Sequence, residues 1–383
     1  MKYSILLPTR NGGPYLENCI RSILDQDYAD LELILSDNAN TDTTPQVISK
    51  FADDPRVKVL RLEEPISVTD NWNNALGVAK GDYVLMMGDD DYLLPGYLSR
   101  MARALDEHDN PDCILYNAFS YVAPDSIAGN TGSFFSENHF AFGPDLAVEK
   151  TISIATRHSI LHDMFRFRVR IPLNMQTTLL SRRAAQSIPG GPFQPPFPDH
   201  FALNSMLLKA DKWLLLPERL LVVGISPKSF GHYIYSNRQG AGLSYLGIDP
   251  QFPGRLPGNE LVNGMHMWLS LLKKRYPDEL RAVDINRAAY VRRQVFAWVM
   301  QWRNKAIMVR EMTARFRLLS ARDWVALLAT PFDRSSWQKF FQLASTLGRR
   351  KAQTAWHTLQ PLEAVTNIRE FAAWLARTGR IKH

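Results

Sequence analysis

Residues 83–91 have the sequence YVLMMGDDD, a short apolar run that ends in three consecutive aspartates. The apolar run is typical of a buried strand. Three adjacent carboxylates at its end repel one another unless a cation compensates their charge. Mn²⁺ and Mg²⁺ prefer oxygen ligands and often keep substrate phosphates in their coordination shell. A solvated acidic turn is the alternative, but the order of strand, aspartates, Pro95 and helix favours a metal site.

Similar strand patterns alternate with helical patterns over the first part of the chain. Apolar runs occur at 3–7, 31–35, 57–60 and 113–116, and helical spacings with short connections separate them. This alternation predicts an α/β domain with a mostly parallel, Rossmann-like sheet that carries helices on both faces. Ligands of such sheets bind at the carboxyl ends of the strands, so the polar residues that follow the strands are candidate site residues.

Two more polar segments follow predicted strands. Pro8-Thr9-Arg10-Asn11 follows the first, where backbone and hydroxyl groups could contact a nucleotide and Arg10 could reach a phosphate. Asp37 and Asn38 follow the second, and their side chains can contact the edge of a nucleobase, whereas Asp42 suits a helix cap. The first turn has neither GxGxxG nor GxxxxGK(S/T), so no Rossmann dinucleotide site or P-loop is predicted.

Together these segments resemble glycosyltransferase family 2, the inverting enzymes of the GT-A nucleotide-diphospho-sugar transferase fold. The turn at 8–11 is similar to the family's P-x-(Y/R)-N turn, and residues 33–42 (LILSDNANTD) are similar to its VVDDGSTD segment. Residues 79–83 (AKGDY), followed by the three aspartates and Pro95, look like its A-x-G-(E/D)-(Y/F) lead into the DxD motif. Order and spacing agree over about the first 105 residues.

The resemblance implies a role for each segment. Asp37 or Asn38 would hold the nucleobase, and residues 8–11 would line the nucleotide site. Asp89 would contact the ribose. Asp90 would bind a Mn²⁺ or Mg²⁺ ion that bridges the donor diphosphate, with Asp91 beside it as a further ligand.

Four positions have open alternatives. Gly88 stands where many members have an aspartate, which leaves the register of the metal ligands open by one residue. Asn71 either contacts the donor or only belongs to a helix start. His232 follows the last predicted strand and either completes the metal shell or is structural. Lys228 could contact a phosphate.

Transfer to a hydroxyl also requires a base on the opposite face of the sugar. We predict Asp199, which opens the apolar helical stretch 201–208, because similar enzymes carry their base at about this place in chain order. The alternative is that Asp199 only caps that helix.

The second part of the chain has a different character. We predict a catalytic domain over 1–240 and a helical, basic, Trp-rich region over 255–383. Six of the nine tryptophans lie beyond residue 297, and 301–383 contain about 15 basic against about 5 acidic residues. Basic residues and aromatics on one helical face suit an anionic membrane surface, although a core of the region's own is favoured for most of these aromatics.

These patterns lead to an expected function and location. We expect transfer of a sugar from a nucleotide-sugar donor, a UDP-sugar, to a glycan or lipid-linked glycan acceptor in cell-envelope polysaccharide or glycolipid synthesis. Neither a signal-peptide core nor an apolar span of about 20 residues occurs, so we expect a cytoplasmic protein, with peripheral contact at the inner face of the membrane as an option. No nucleic-acid recognition motif occurs, and the oligomeric state is not predicted. The alternatives are a nucleotidyltransferase, or an inactive, membrane-associated scaffold.

Overall fold

The chain divides into two compact units. The computed structural model describes residues 1–127, 130–137, 150–169, 173–229, 249–329 and 359–381. The first unit, here called the sheet unit, comprises Met1–Leu161, Val169–Gly247 and Gln360–His383. The second, here called the helical unit, comprises His162–Arg168 and Ile248–Leu359.

Eleven strands among the described residues form one sheet. They are β1 Tyr3–Thr9, β2 Leu31–Asp37, β3 Val57–Arg61, β4 Tyr83–Met86, β5 Tyr92–Leu93, β6 Cys113–Val122, β7 Ser133–Ser136, β8 Lys150–Ile152, β9 Thr178–Ser181, β10 Trp213–Ile225 and β11 Gln360–Leu362. Strands β3, β2, β1 and β4 are adjacent and parallel, and β9 pairs antiparallel with both β4 and β6. Strand β10 is parallel to β6. The principal strands therefore point the same way, which confirms the predicted α/β fold.

The helices of the described residues fall into both units. They are α1 Gly13–Leu24, α2 Thr44–Ser49, α3 Val68–Gly77, α4 Tyr97–Glu107, α5 Ile154–Phe165, α6 Arg182–Gln186, α7 Pro198–Lys209, α8 Glu260–Arg275, α9 Arg287–Arg303, α10 Val309–Phe316, α11 Ala321–Leu328 and α12 Ile368–Arg377. Of these described helices, none combines the length and the apolar character that crossing a bilayer requires.

Different helices cover the two faces of the sheet. Leu7 of β1 and Leu35 of β2 lie in a core cluster that includes Leu16 of α1. Side chains alternate along a strand, so Ser36 points to the other face, and its hydroxyl donates to Asn71 Oδ1 of α3 at 2.6 Å. Helices therefore cover both faces of these strands, and the carboxyl ends of the strands form an edge of the sheet that these helices do not cover.

The end of the described chain differs from the predicted division into 1–240 and 255–383. Strand β11 pairs with β7, and Gln360–His383 belong to the sheet unit. Phe371 and Leu375 of α12 are fully buried in a core cluster with Phe119 of β6 and Phe135 of β7. Helical periodicity identifies the apolar face of a helix, but it does not identify the surface that the face packs against.

The helical unit has a core of its own around α8 and α9. Buried Asn263 accepts hydrogen bonds from the Tyr290 hydroxyl and the Gln294 amide, both at 2.7 Å. Trp298 is fully buried, as the predicted aromatic core requires, whereas Trp302 is substantially exposed. The tryptophans at 337 and 356, which belonged to the same prediction, lie outside the described residues.

Candidate active site

The carboxyl ends of β1, β2 and β4 meet at one edge of the sheet. In the parallel register Thr9 lies beside Asp37, and Leu6 of β1 lies beside Met86, the last residue of β4. The three polar segments singled out from the sequence follow these strand ends directly. The register therefore brings together segments that lie far apart along the chain.

Asp89 is joined to the turn after β1. The Thr9 hydroxyl donates to Asp89 Oδ2 at 2.7 Å. A Cβ atom on Gly12 would lie 1.9 Å from the same oxygen, so only glycine allows this approach. Burial raises the pKa of Asp89, and the Thr9 hydrogen bond opposes that rise.

Asp91 has a different environment, although it is two residues away. Its Oδ2 accepts from the Gly88 N–H at 2.6 Å and its Oδ1 from the Gly224 N–H at 3.0 Å. The residue is buried, and burial raises the pKa of its carboxyl well above the ordinary range. One oxygen thus closes the acidic loop on itself, and the other joins the loop to the end of β10.

Asp90 is half-buried, and one of its oxygens has a backbone partner. The Ser226 N–H donates to Asp90 Oδ2 at 3.2 Å. Burial, followed by the neighbouring Asp89 carboxylate, raises the pKa of Asp90 to about 7. Such a shift indicates that the carboxylate lacks sufficient compensating positive charge.

The end of β10 completes the site, and sequence reasoning largely missed it. A Cβ atom on Gly224 would lie 1.8 Å from the Asp90 carbonyl oxygen, which makes this strand end fit closely against the acidic loop. Lys228 Nζ donates to the Asn11 carbonyl at 2.6 Å and lies 3.5 Å from Asp42 Oδ2. The available signal was a strand-like run followed by polar residues, which led to the predictions for Lys228 and His232 but not for Gly224 or Ser226.

The turns after β1 and β2 hold each other in place. Arg10 donates to the Asn38 carbonyl at 2.5 Å and also to the carbonyl of Ala39. The Asn11 side chain accepts from the Thr41 N–H at 2.9 Å. In this structure both side chains therefore act within the protein, and their contacts shape the turns.

The predicted base-contacting residues are both buried. Asp37 Oδ1 accepts from the Asn40 side chain at 2.6 Å. The Asn38 amide bonds to the backbone of Ile66 in both directions, donating at 3.0 Å and accepting at 2.8 Å. Asn71 is also buried and accepts from Ser36. Of these three, Asp37 has a carboxylate oxygen for which no partner is described.

Asp199 lies in the first turn of α7 and is half-buried. Its Oδ1 accepts from the His200 N–H at 2.9 Å. Among the described residues no hydrogen bond joins it to the acidic loop. His232, predicted as a metal ligand, lies outside the described residues.

The three aspartates do not form a closed metal shell. In the part of the chain that the structure describes, no group of three His, Cys, Asp or Glu side chains converges on a point. Mg²⁺-type sites commonly use one or two carboxylates and complete the shell with substrate phosphates and water. Asp90, with the shifted pKa, and neighbouring Asp89 fit such an open site.

A cavity of about 620 Å³ lies at the other edge of the sheet. Its lining includes Asp82, which precedes β4, and Asp112, which precedes β6. It is therefore separated from the acidic loop by the length of β4 and forms no part of the candidate active site.

The parallel sheet, with polar turns and an acidic loop at its carboxyl edge, defines an α/β domain of the GT-A type. The family model described as Glycosyl transferase family 2 matches residues 4–165. This segment is therefore similar to glycosyltransferase family 2. The match includes every strand end of the site except that of β10.

Individual relatives are similar to part of the chain. "Glycosyltransferase GlyG" of Streptococcus pneumoniae serotype 4 is 30% identical over 148 residues, which are 38% of this chain and 46% of that protein. The "GalNAc(5)-diNAcBac-PP-undecaprenol beta-1,3-glucosyltransferase" of Campylobacter jejuni is 39% identical over 108 residues, 28% of this chain and 35% of that protein. The chain therefore spans less than half the length of these relatives.

A solved structure supports the fold. S. aureus TarS 1-349 in complex with UDP-GlcNAc superposes with a TM-score of 0.50 at 17% identity, covering 81% of this chain and 77% of that one. At this level of identity the similarity concerns the fold alone.

Proposed function

We propose that this protein is a metal-dependent, inverting glycosyltransferase that moves a sugar from a nucleotide diphosphate to an acceptor hydroxyl. The observation that carries the proposal is the convergence of Thr9, Asp89 and Asp90 at the carboxyl ends of parallel strands. Ligands bind at this edge in such sheets. The match of residues 4–165 to the family model of glycosyltransferase family 2 supports the reaction class.

The proposed donor site follows the contacts of the strand ends. Asp37, with one carboxylate oxygen bonded to Asn40, would accept from a ring N–H of the nucleobase. Asp89, held by Thr9, would contact the ribose. The UDP-GlcNAc complex of TarS supports a uridine nucleotide as the first donor to test.

Asp90, with Asp89, would hold the Mn²⁺ or Mg²⁺ ion, which would offset the charge that develops on the leaving diphosphate. Asp91 is not assigned as a ligand, because both of its oxygens accept backbone N–H groups. Its proposed role is to orient the loop. Lys228, beside the Asn11 carbonyl, would add positive charge on the diphosphate side.

Asp199 is the proposed base, which would accept the proton of the attacking acceptor hydroxyl. Half-burial leaves part of its carboxylate accessible, and its contact with the His200 N–H holds it at the start of α7. The name of the Campylobacter jejuni relative supports a lipid-linked glycan as the acceptor class.

The test has a binding stage and a turnover stage. Thermal shift of the full chain with a panel of nucleotide-sugars, with and without Mn²⁺, identifies the donor, because a ligand that binds only the native state raises Tm. Turnover is then measured with that donor as release of nucleoside diphosphate. We expect Asp90→Asn and Asp199→Asn to lower kcat/KM by about a hundredfold or more.

Asp278→Asn is the matched control, since Asp278 is exposed and its contact is with Arg281 on the surface of the helical unit. It should keep full activity. Wild-type activity in Asp90→Asn would remove that residue from its role, and release of pyrophosphate instead of a nucleoside diphosphate would indicate a nucleotidyltransferase. Absence of turnover with every donor that binds would favour the inactive scaffold.

A further inference from the structure

Helix α11 has an apolar face that points away from the helical unit. Trp324, Val325 and Leu328, at helical spacing from Ala321, are 42%, 67% and 74% exposed. The opposite side of the helix carries Asp323. Its carboxylate accepts hydrogen bonds from Nε and Nη2 of Arg287, both at 3.1 Å. That contact fixes α11 to α9 and thereby fixes which face is outward.

Helix α10 extends this apolar surface. Phe316 stacks on Trp324 with ring centroids 5.6 Å apart and an interplanar angle of 22°. Val309 lies two turns before Phe316 on the same side of α10 and is exposed. Leu318, directly after α10, is also exposed. These side chains and the three of α11 are named the apolar face below.

Exposed basic side chains lie next to the residues of the apolar face in the sequence. Arg310, Arg317 and Arg322 are all exposed. Residues 302–329 contain six basic and two acidic side chains. Asp323 is paired with Arg287, which lies outside this segment, and the exposed Glu311 offsets only one of the six positive charges.

We infer that this apolar face docks on a membrane surface that contains anionic phospholipid. Apolar side chains can enter the boundary between headgroups and acyl chains, while the neighbouring arginines attract the negative surface. Trp324 suits this depth, because tryptophan is favoured at the interface. The inference concerns the helical unit and does not depend on the proposed transfer reaction.

A second copy of the chain is the less suitable occupant. In a two-fold interface each surface contacts itself. Arg310, Arg317 and Arg322 would then face a surface of the same charge, with Glu311 as the one acidic side chain of the segment that is not in the ion pair with Arg287. Charge complementarity therefore favours an anionic surface.

Vesicle flotation of the full chain tests the inference. Vesicles of phosphatidylcholine alone are compared with vesicles that also contain phosphatidylglycerol. We expect binding to the anionic vesicles only, a loss of roughly fivefold or more in Val325→Ser/Leu328→Ser, and a similar loss in Arg317→Gln/Arg322→Gln. High salt should weaken binding in the same way as Arg317→Gln/Arg322→Gln, because salt screens the attraction between charges. It should not reproduce the effect of Val325→Ser/Leu328→Ser, which removes apolar contact.

The controls use equally exposed positions. Ile154→Ser removes an exposed apolar side chain of the sheet unit, and Arg281→Gln removes an exposed charge of the helical unit. Both should bind as wild type, and all variants should keep the wild-type Tm. Equal binding to neutral vesicles, no binding to either kind, or wild-type binding by both double variants would overturn the inference. A dimer in light scattering that Val325→Ser/Leu328→Ser converts to a monomer would assign the face to a second copy instead.

Discussion

Asp90 makes stability depend on pH. Its folded-state pKa is raised from 3.8 to about 7, so between these values the folded protein binds a proton that the unfolded chain has lost. The stability contributed at this residue therefore falls as pH rises through that window. We predict that the Tm of the metal-free protein, relative to Asp90→Asn, falls between about pH 4 and pH 7.

Calorimetry of both proteins in chelator, at several pH values, gives this difference directly. Mn²⁺ should restore the wild-type Tm at high pH and have a smaller effect on Asp90→Asn, because deprotonated Asp90 is the proposed ligand. Parallel Tm curves for the two proteins would show that Asp90 does not titrate in this range.

Lys228 is predicted to contribute to donor binding. Its Nζ donates to the Asn11 carbonyl beside the acidic loop and lies 3.5 Å from Asp42 Oδ2. Lys228→Met should raise the Kd of the nucleoside diphosphate roughly tenfold, since a charge-assisted contact is lost. Lys212→Met is the control, because Lys212 precedes the same strand and pairs with Asp109 at the opposite edge. Titration calorimetry that gives equal Kd values for both variants would contradict the role.

At the scale of elements, β10 was predicted only in part. The sequence has two separate apolar runs, at 213–216 and 220–223, whereas the structure has one strand, Trp213–Ile225, with irregular pairing to β6 between Leu215 and Leu221. A local pattern loses its signal where a bulge interrupts alternation. For the same reason the contacts of Gly224 and Ser226 with the acidic loop could not be predicted.

The elements that carry the first three motifs were predictable because each is local. Strand β1 was expected at 3–7 and is Tyr3–Thr9, and the polar turn follows it as expected. The hydrogen-bond partner of each side-chain atom could not be predicted from the sequence. Asp90 and Asp91 are identical in type, but only the fold determines that Asp91 receives two backbone N–H groups. The same holds for Asn38, whose partner at Ile66 lies in another loop.

The close approach of β10 to the acidic loop gives a prediction for Gly224. A methyl group there would meet the Asp90 carbonyl oxygen at 1.8 Å, and backbone atoms would have to move. Gly224→Ala should cost about 1–3 kcal/mol of unfolding free energy and weaken Mn²⁺ binding by displacing Asp90. Gly77→Ala is the control, since a Cβ atom there meets no atom within 4 Å. Denaturant unfolding measures the loss of stability, and Mn²⁺ titration measures the loss of affinity. Unchanged Mn²⁺ affinity in Gly224→Ala would show that Gly224 does not position the metal site.

At the scale of the whole molecule, α12 should stabilise the sheet unit. Phe371 is fully buried and stacks on Tyr121 of β6 with ring centroids 5.4 Å apart. Phe371→Ala should lower the unfolding free energy by about 3–5 kcal/mol through the cavity that it leaves. Arg377→Ala, an exposed change on the same helix, should cost little. Loss of stability in the second variant and not in the first would contradict the packing.

The pairing of β11 with β7 has a consequence for biosynthesis. Residues 133–136 leave the ribosome long before residues 360–362, and all of 249–329 are translated in between. Until residues 360–362 are synthesised, the edge of β7 that pairs with β11 in the folded protein has no partner strand. During this interval Phe119 and Phe135 lack the α12 side chains that bury them in the folded protein, and exposed apolar surface of this kind favours aggregation.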